Sequence, residues 1–140
     1  MLYQYDPSAV TVIYGGHIIT GYADGTFVNV QRNEPMWAIK VGADGIATRV
    51  KSSNKSGRVT VTLQQSSPSN DVLSGLAIAD EQAGTGALPI LVRDGSGRSL
   101  ATAGKAWNPQ MPDAEFGKEV GDRVWVFETD SLNLFIGGNG

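Results

Sequence analysis

The chain contains no cysteine and a single histidine. That removes disulfide staples and thiolate metal sites and leaves too few ligands for an ordinary zinc or copper centre. No apolar run approaches the roughly 20 residues that a membrane-spanning helix needs, so no membrane anchoring is expected. A dominant charge is missing too. The 11 basic side chains stand against 14 acidic ones, a formal net charge of −3. Lys and Arg are scattered rather than gathered into the basic stripe of a duplex-binding surface. The opening MLYQYDPS lacks the basic start and apolar core of a secretory leader, and no export is expected.

What is present is one domain's worth of chain, 140 residues, enough to bury roughly two-thirds of its unfolded surface in an ordinary core. Turn signals cut it at short intervals: Gly15-Gly16, Asp24-Gly25, Asp44-Gly45, Asn54 to Gly57, Asp94 to Gly97 and Gly121-Asp122. Short alternating runs between such signals point to an antiparallel β-sandwich or small barrel. Strands are expected over residues 10–19, 26–32, 37–41, 46–51, 58–65, 89–93, 100–107, 123–128 and 132–136. In the fifth, Val59, Val61 and Leu63 alternate with Thr60, Thr62 and Gln64, the mark of a sheet with one dry and one wet face. In Val124-Trp125-Val126-Phe127 both faces are apolar, which predicts a strand that is central or covered twice.

One segment breaks the β pattern. Val72, Leu73 and Leu76 recur at helical spacing after Ser67-Pro68, a serine cap followed by proline at the first helical position. The prediction is one flanking helix over about 68–82, packed through Val72, Leu73 and Leu76 and stopped by Ala83-Gly84-Thr85-Gly86. Its Asp80 and Glu81 lie at the unfavourable end of the helix dipole. Such a helix can close the open end of a sandwich core.

Signals for chemistry are sparse. His17, beside a glycine pair, would need a nucleophile and an orienting carboxylate to act as a general base, and the sequence identifies neither. Asp24, Asp44 and Asp94 stand nearly alone, whereas a calcium loop needs several closely spaced oxygen ligands; hairpin turns account for them. Gly84-Thr85-Gly86 follows a helix instead of opening one, unlike a phosphate loop. Trp37, Trp107 and Trp125 could form a stacking platform, but each adjoins an apolar strand and packing is the simpler role. Trp107, next to Asn108-Pro109-Gln110-Met111-Pro112, is the least core-like.

Four stretches taken together, GYADGTFVNVQRNEP, VGADGIATRVKSSNKSGRVTVTLQQSSPSNDVLSGLAIADE, PDAEFGKEVGDRVWVFE and LNLFIGG, closely resemble the tail tube proteins of bacteriophages with contractile tails. The resemblance runs from about Tyr5 to the C-terminus, and its most specific piece is the junction from Ser67 to Asp71. It implies a single tail tube domain over 1–140 with an N-terminal arm, 1–9. The implied function is structural and not enzymatic, with no cofactor: hexameric rings stack into a tube through which DNA leaves the capsid without specific binding. Partners implied are further copies of the chain and the sheath, tape-measure and baseplate proteins of a virion tail made in the bacterial host's cytoplasm. In such tubes one sheet lines the channel, while a hairpin and the termini reach adjacent rings. The channel-lining candidates are then Thr60, Thr62 and Gln64. A long hairpin over 46–65 would carry Lys51, Lys55 and Arg58 at its tip as inter-subunit contacts. Two readings from other classes stand beside this one, a monomeric carbohydrate-binding or adhesin module using Trp107, and a small hydrolase centred on His17.

Overall fold

The alternation from Val59 to Leu63 organises the fold. A computed structural model describes residues 1–139. In it Val59, Val61 and Leu63 are buried along β6 (Gly57–Gln64), while Thr60 and Thr62 are half-exposed and Gln64 is exposed. β6 pairs antiparallel with β3 (Val28–Arg32) on one side and with β9 (Asp122–Thr129) on the other. Trp125 and Phe127 of β9 point to the same dry side.

The second half of the sandwich comprises β1 (Thr11–Tyr14), β2 (His17–Ile18), β7 (Leu88–Arg93), β8 (Leu100–Trp107) and β10 (Asn133–Phe135). The strand order is β2-β1-β7-β8-β9-β6-β3, with β10 also on β8. β8 joins the halves. It pairs with β9 only through Ala106↔Thr129 and Trp107↔Glu128, and its start pairs with β10 instead. The sheet therefore folds over at that corner. Its two dry faces meet: the Tyr14 and Phe127 rings lie 4.5 Å apart although two strands separate β1 from β9 in the sheet. The Tyr14 hydroxyl reaches the carbonyls of Gly86 at 2.8 Å and Ala106 at 3.0 Å. Burial, and secondarily the charge of Asp80, push its pKa up to about 12.

The helix, α1 (Ser69–Ala83), begins one residue past its proline: Pro68 is already in the right-handed region and the Ser67 hydroxyl accepts the Ser69 N–H at 3.2 Å. Gly84 stops the helix in the left-handed conformation, φ 68°, as a C-terminal glycine should. Asp80, ill placed for the dipole, accepts the Gly86 N–H at 2.9 Å. Leu73 is buried and Leu76 packs against the core. Val72 is not part of that contact, being 39% exposed. The inward stripe runs Ser69, Leu73, Leu76, and Val72 lies about 100° round the helix from Leu73.

Three further expectations need correction. Residues 46–65 do not form a hairpin. β5 (Ala47–Lys51) pairs with β4 (Trp37–Val41), through Trp37↔Lys51 to Val41↔Ala47, as a separate two-stranded ribbon. The chain turns back through Gly42 to Gly45, with Gly45 at φ 85° and Asp44 Oδ1 accepting the Ile46 N–H. In residues 52–56, Ser52 Oγ accepts the Asn54 N–H and Asn54 Oδ1 accepts the Ser56 N–H. Trp37 is in no core; it lies on this ribbon, 44% exposed. β9 is central in its hydrogen bonding but not covered twice, since Val124 is exposed.

Leu73→Ala is expected to cost about 2–5 kcal/mol, and Val72→Ala to stay within about 0.5 kcal/mol; thermal melts of the two variants check the helix face. Tyr14 holds its proton more tightly folded than unfolded. Its contribution is therefore whole below pH 10.0 and is lost as the pH rises towards 12. Denaturant titrations of wild type and Tyr14→Phe should converge over that window, the variant lacking this part of the alkaline loss.

Candidate functional site

Two surfaces carry the sequence-predicted residues. The first is the outer face of β3, β6 and β9. Register places Asn29, Thr60 and Val126 in one row and Gln31, Arg58 and Glu128 in the next. Thr62 opposes Val124 and Gln64 opposes Asp122. Thr60, Thr62 and Gln64 thus share one polar face, as their period of two requires. Among these ten positions the one cation is Arg58, and it is paired with Glu128 at 3.3 Å. An exposed pair of this kind contributes roughly 0–1 kcal/mol, but it cancels the only positive charge on the face.

The expected cluster Lys51, Lys55 and Arg58 is not brought together as a hairpin tip. Lys51 ends β5, Lys55 bridges to Ser131 in the link to β6, and Arg58 belongs to the sheet face.

The second surface is the β4–β5 ribbon. Every residue from Asn33 to Lys51 is exposed, among them Ile39 at 71% and Ile46 at 67%. The Arg49 guanidinium sits 3.7 Å over the Trp37 ring, which orders one side of the ribbon's base. An isolated two-stranded ribbon is marginal in water, and this one presents aliphatic side chains to solvent on both faces. Sequence reasoning passed over it because Trp37, Ile39 and Val41 alternate like any half-buried strand.

The residues weighed for chemistry have structural occupations. His17 Nε2 lies 3.0 Å from Ser69 Oγ, but that hydroxyl also accepts the Thr20 N–H at 3.0 Å and Ser69 is 1% exposed. The pair ties the β1–β2 turn to the helix start and offers no reachable nucleophile. Asp94 Oδ1 takes the Ser96 hydroxyl and the Gly97 N–H. These bonds, the Ser96 hydroxyl foremost, hold its carboxyl below the ordinary range. Trp107 is half-buried beside a cavity of about 270 Å³ formed by α1 and residues 107–111. Trp125 is buried, with its Nε1–H donated to Asn70 Oδ1 at 2.9 Å. No group of three or more acidic, histidine or cysteine side chains fit to hold a metal occurs among the described residues.

The chain is similar to known proteins over nearly all of its length. The family model described as bacteriophage PhiTE tail tube protein matches residues 5–137. Structural protein ORF10 of Pseudomonas phage KPP10 is 34% identical over 143 aligned residues, spanning 96% of this chain and 83% of that protein. The fold is similar to that of the cap that terminates the tube of the anti-feeding prophage, with a TM-score of 0.64 at 10% identity over 96% of this chain and 92% of the other. A chain of the sheath-tube complex of an extracellular contractile injection system, PVC, in its extended state gives 0.61 at 10% identity, over 94% and 91%.

Thr62→Lys is expected to leave folding within about 0.5 kcal/mol, because its side chain leaves the sheet on the wet side, whereas Val61→Lys buries an unpaired charge and should abolish soluble folding. Expression and circular dichroism of the two neighbours test the register; equal tolerance would contradict it.

Proposed function

Because the chain belongs to the phage tail tube protein family, we propose that it closes into hexameric rings that stack as the inner tube of a contractile tail, the passage by which DNA leaves the capsid for the host. A structural role in the tail tube follows from the family. The hexamer, the stacking and the passage of DNA are what the resemblance to this family implies, and the surfaces are read in support of the stacking and the bore.

The observation that carries it is the β4–β5 ribbon. A soluble monomer has no reason to hold Ile39, Val41 and Ile46 in water on a projecting two-stranded element, since exposed apolar surface of this kind marks a site of association. In a stacked assembly the ribbon gains a neighbour and its side chains a core. Trp37 to Lys51 thereby takes the place that the cationic stretch Lys51, Lys55 and Arg58 was expected to fill.

The wet face of β3, β6 and β9 suits a bore. Thr60, Thr62 and Gln64 offer short polar groups, and pairing with Glu128 leaves Arg58 little hold on a passing phosphate. A bore rich in cations would retain DNA through contacts that release counterions. A tail sheath around the tube, together with tape-measure and baseplate proteins, completes the proposed set of partners. The sheath is suggested by the similarity to a chain of a sheath-tube complex.

Light scattering and negative-stain micrographs of the purified chain should reveal rings or tubes whose abundance rises with concentration; a strict monomer at every concentration would count against the assignment. Ile39→Glu with Val41→Glu is expected to leave the subunit's circular dichroism unchanged and to abolish tubes, because it puts charge where an apolar contact is required. Thr60→Lys, Thr62→Lys and Gln64→Lys together should allow assembly and slow DNA release from virions in a salt-dependent way. Release unaffected at low salt would remove this face from the bore.

A further inference from the structure

A second apolar surface answers to the ribbon. Among the described residues β3 pairs only with β6 and β10 only with β8, so each leaves one edge free of strand partners. Where these elements approach one another the sandwich is open, and the gap is a cavity of about 220 Å³ whose walls include Val28, Val30, Leu134 and Phe135. Arg32 straps one end, its Nε and Nη2 donating to the Leu132 carbonyl at 3.1 and 2.8 Å. Phe135 remains 68% exposed and Leu100, also in the wall, 39%.

The groove carries a specific electrostatic demand. Asp94 lies in its wall. While Oδ1 is taken up by Ser96 and Gly97, Oδ2 is buried with no hydrogen-bond partner. That oxygen is the acceptor left over once the turn's hydrogen bonds have stabilised the anion, and a cation from outside would pair with it. An adjoining cavity, which shares Val10 and Val28, adds Asp24. The ribbon has the complementary make-up. Lys40, Arg49 and Lys51 accompany Ile39, Val41 and Ile46, and its one acid, Asp44, is turned to the Ile46 N–H of its own loop.

We propose that the β4–β5 ribbon of one copy docks in the groove between β3 and β10 of another, its aliphatic side chains entering the cavity and one of its cations meeting Asp94. The partner is a second copy of this chain, an inference that rests on the tube reading. What is new is the receptor surface and the carboxylate in it. Such a contact joins two different surfaces, so it propagates from copy to copy instead of closing a symmetric dimer.

The absence of native cysteine makes the test clean. Ile39→Cys, Val41→Cys and Ile46→Cys are each mixed with Phe135→Cys or with Leu100→Cys and oxidised at high protein concentration. Single-cysteine variants can link only between molecules, and only where backbones come within about 7 Å. At least one ribbon–groove pair should yield mixed dimers at tenfold or more over a control pairing with Ala79→Cys on α1. Adding Asp94→Asn, which keeps an acceptor for the turn and removes the charge, should lower that yield several-fold with the melting temperature held near wild type. Control-level cross-linking in samples that contain tubes would overturn the docking and leave the tube reading intact. Control-level cross-linking with no multimers in light scattering would overturn both. An unchanged yield with Asp94→Asn would overturn the role of the carboxylate.

Discussion

Everything in this fold depends on the register of β6. Eight consecutive pairs, from Gly57↔Thr129 to Gln64↔Asp122, lock it to β9, and five more lock it to β3. A slip of one residue would turn Val59, Val61 and Leu63 out to water and bring Thr60, Thr62 and Gln64 into the core. Because Trp125 and Phe127 of β9 fill the same layer, the slip would be opposed by the two largest fully buried side chains. The register thus does two things at once. It makes a dry layer against which β1, β7 and β8 can fold, and it leaves Thr60, Thr62 and Gln64 together on the far, wet side.

The junction from Ser67 to Asn70 holds the layers in place. Read as sequence it is a capping motif, and the Ser67 hydroxyl does accept the Ser69 N–H. The structure gives each polar residue of the stretch a second partner. Ser67 donates to the Thr20 carbonyl and Ser69 accepts the Thr20 N–H. Asn70 donates to the carbonyls of Gln64 and Gln65 while accepting the Trp125 indole N–H. Gly21 adjoins this knot, and a β-carbon there would collide with the Ser67 side chain at 2.5 Å. Three parts of the chain, the segment after β2, the end of β6 and the middle of β9, are tied to the first turn of the helix by bonds that are mostly part-buried, where they count for more than at the open surface.

Much of this was legible in the sequence, and what was not has a common cause. Period-two alternation located most of the strands and the dry side of β6, but the run expected as one strand over 10–19 turns back at Gly15-Gly16 and forms β1 and β2. Ser67-Pro68 and Gly84 bracketed the helix within a residue or two. Periodicity, however, reports that a side chain will be covered without reporting by what. Trp37, Ile39 and Val41 read as strand residues and Trp37 as packed in a core or an interface, yet their own chain leaves all three in water. The hairpin was misassigned for a related reason. The run from Ile46 to Leu63 contains two good strands, but the links on either side of β5, 42–46 and 52–56, are equally long, so loop length did not distinguish β4 from β6 as its partner; the glycine turn with Gly45 at φ 85° goes with β4. Val72 was misplaced because a stripe judged from four residues does not fix the helix azimuth to better than one position.

The same limit explains why the ribbon matters. A β-rich chain normally protects its free edges and exposed strands with charge or proline. Here the edges of β3 and β10 flank an apolar cavity, and the ribbon carries aliphatic side chains in the open. Such features are tolerable only if association satisfies them before aggregation does. The cations interleaved with the ribbon's apolar residues provide that discrimination. They oppose packing of one ribbon on another, because like charges would face each other across the contact, and they favour a surface that presents a carboxylate. The two surfaces are therefore each a hazard alone and specific together, and the chain can remain dispersed until a correctly oriented neighbour arrives. Ordered growth, one subunit added to a surface created by the last, needs that asymmetry between a projecting element and its receptor.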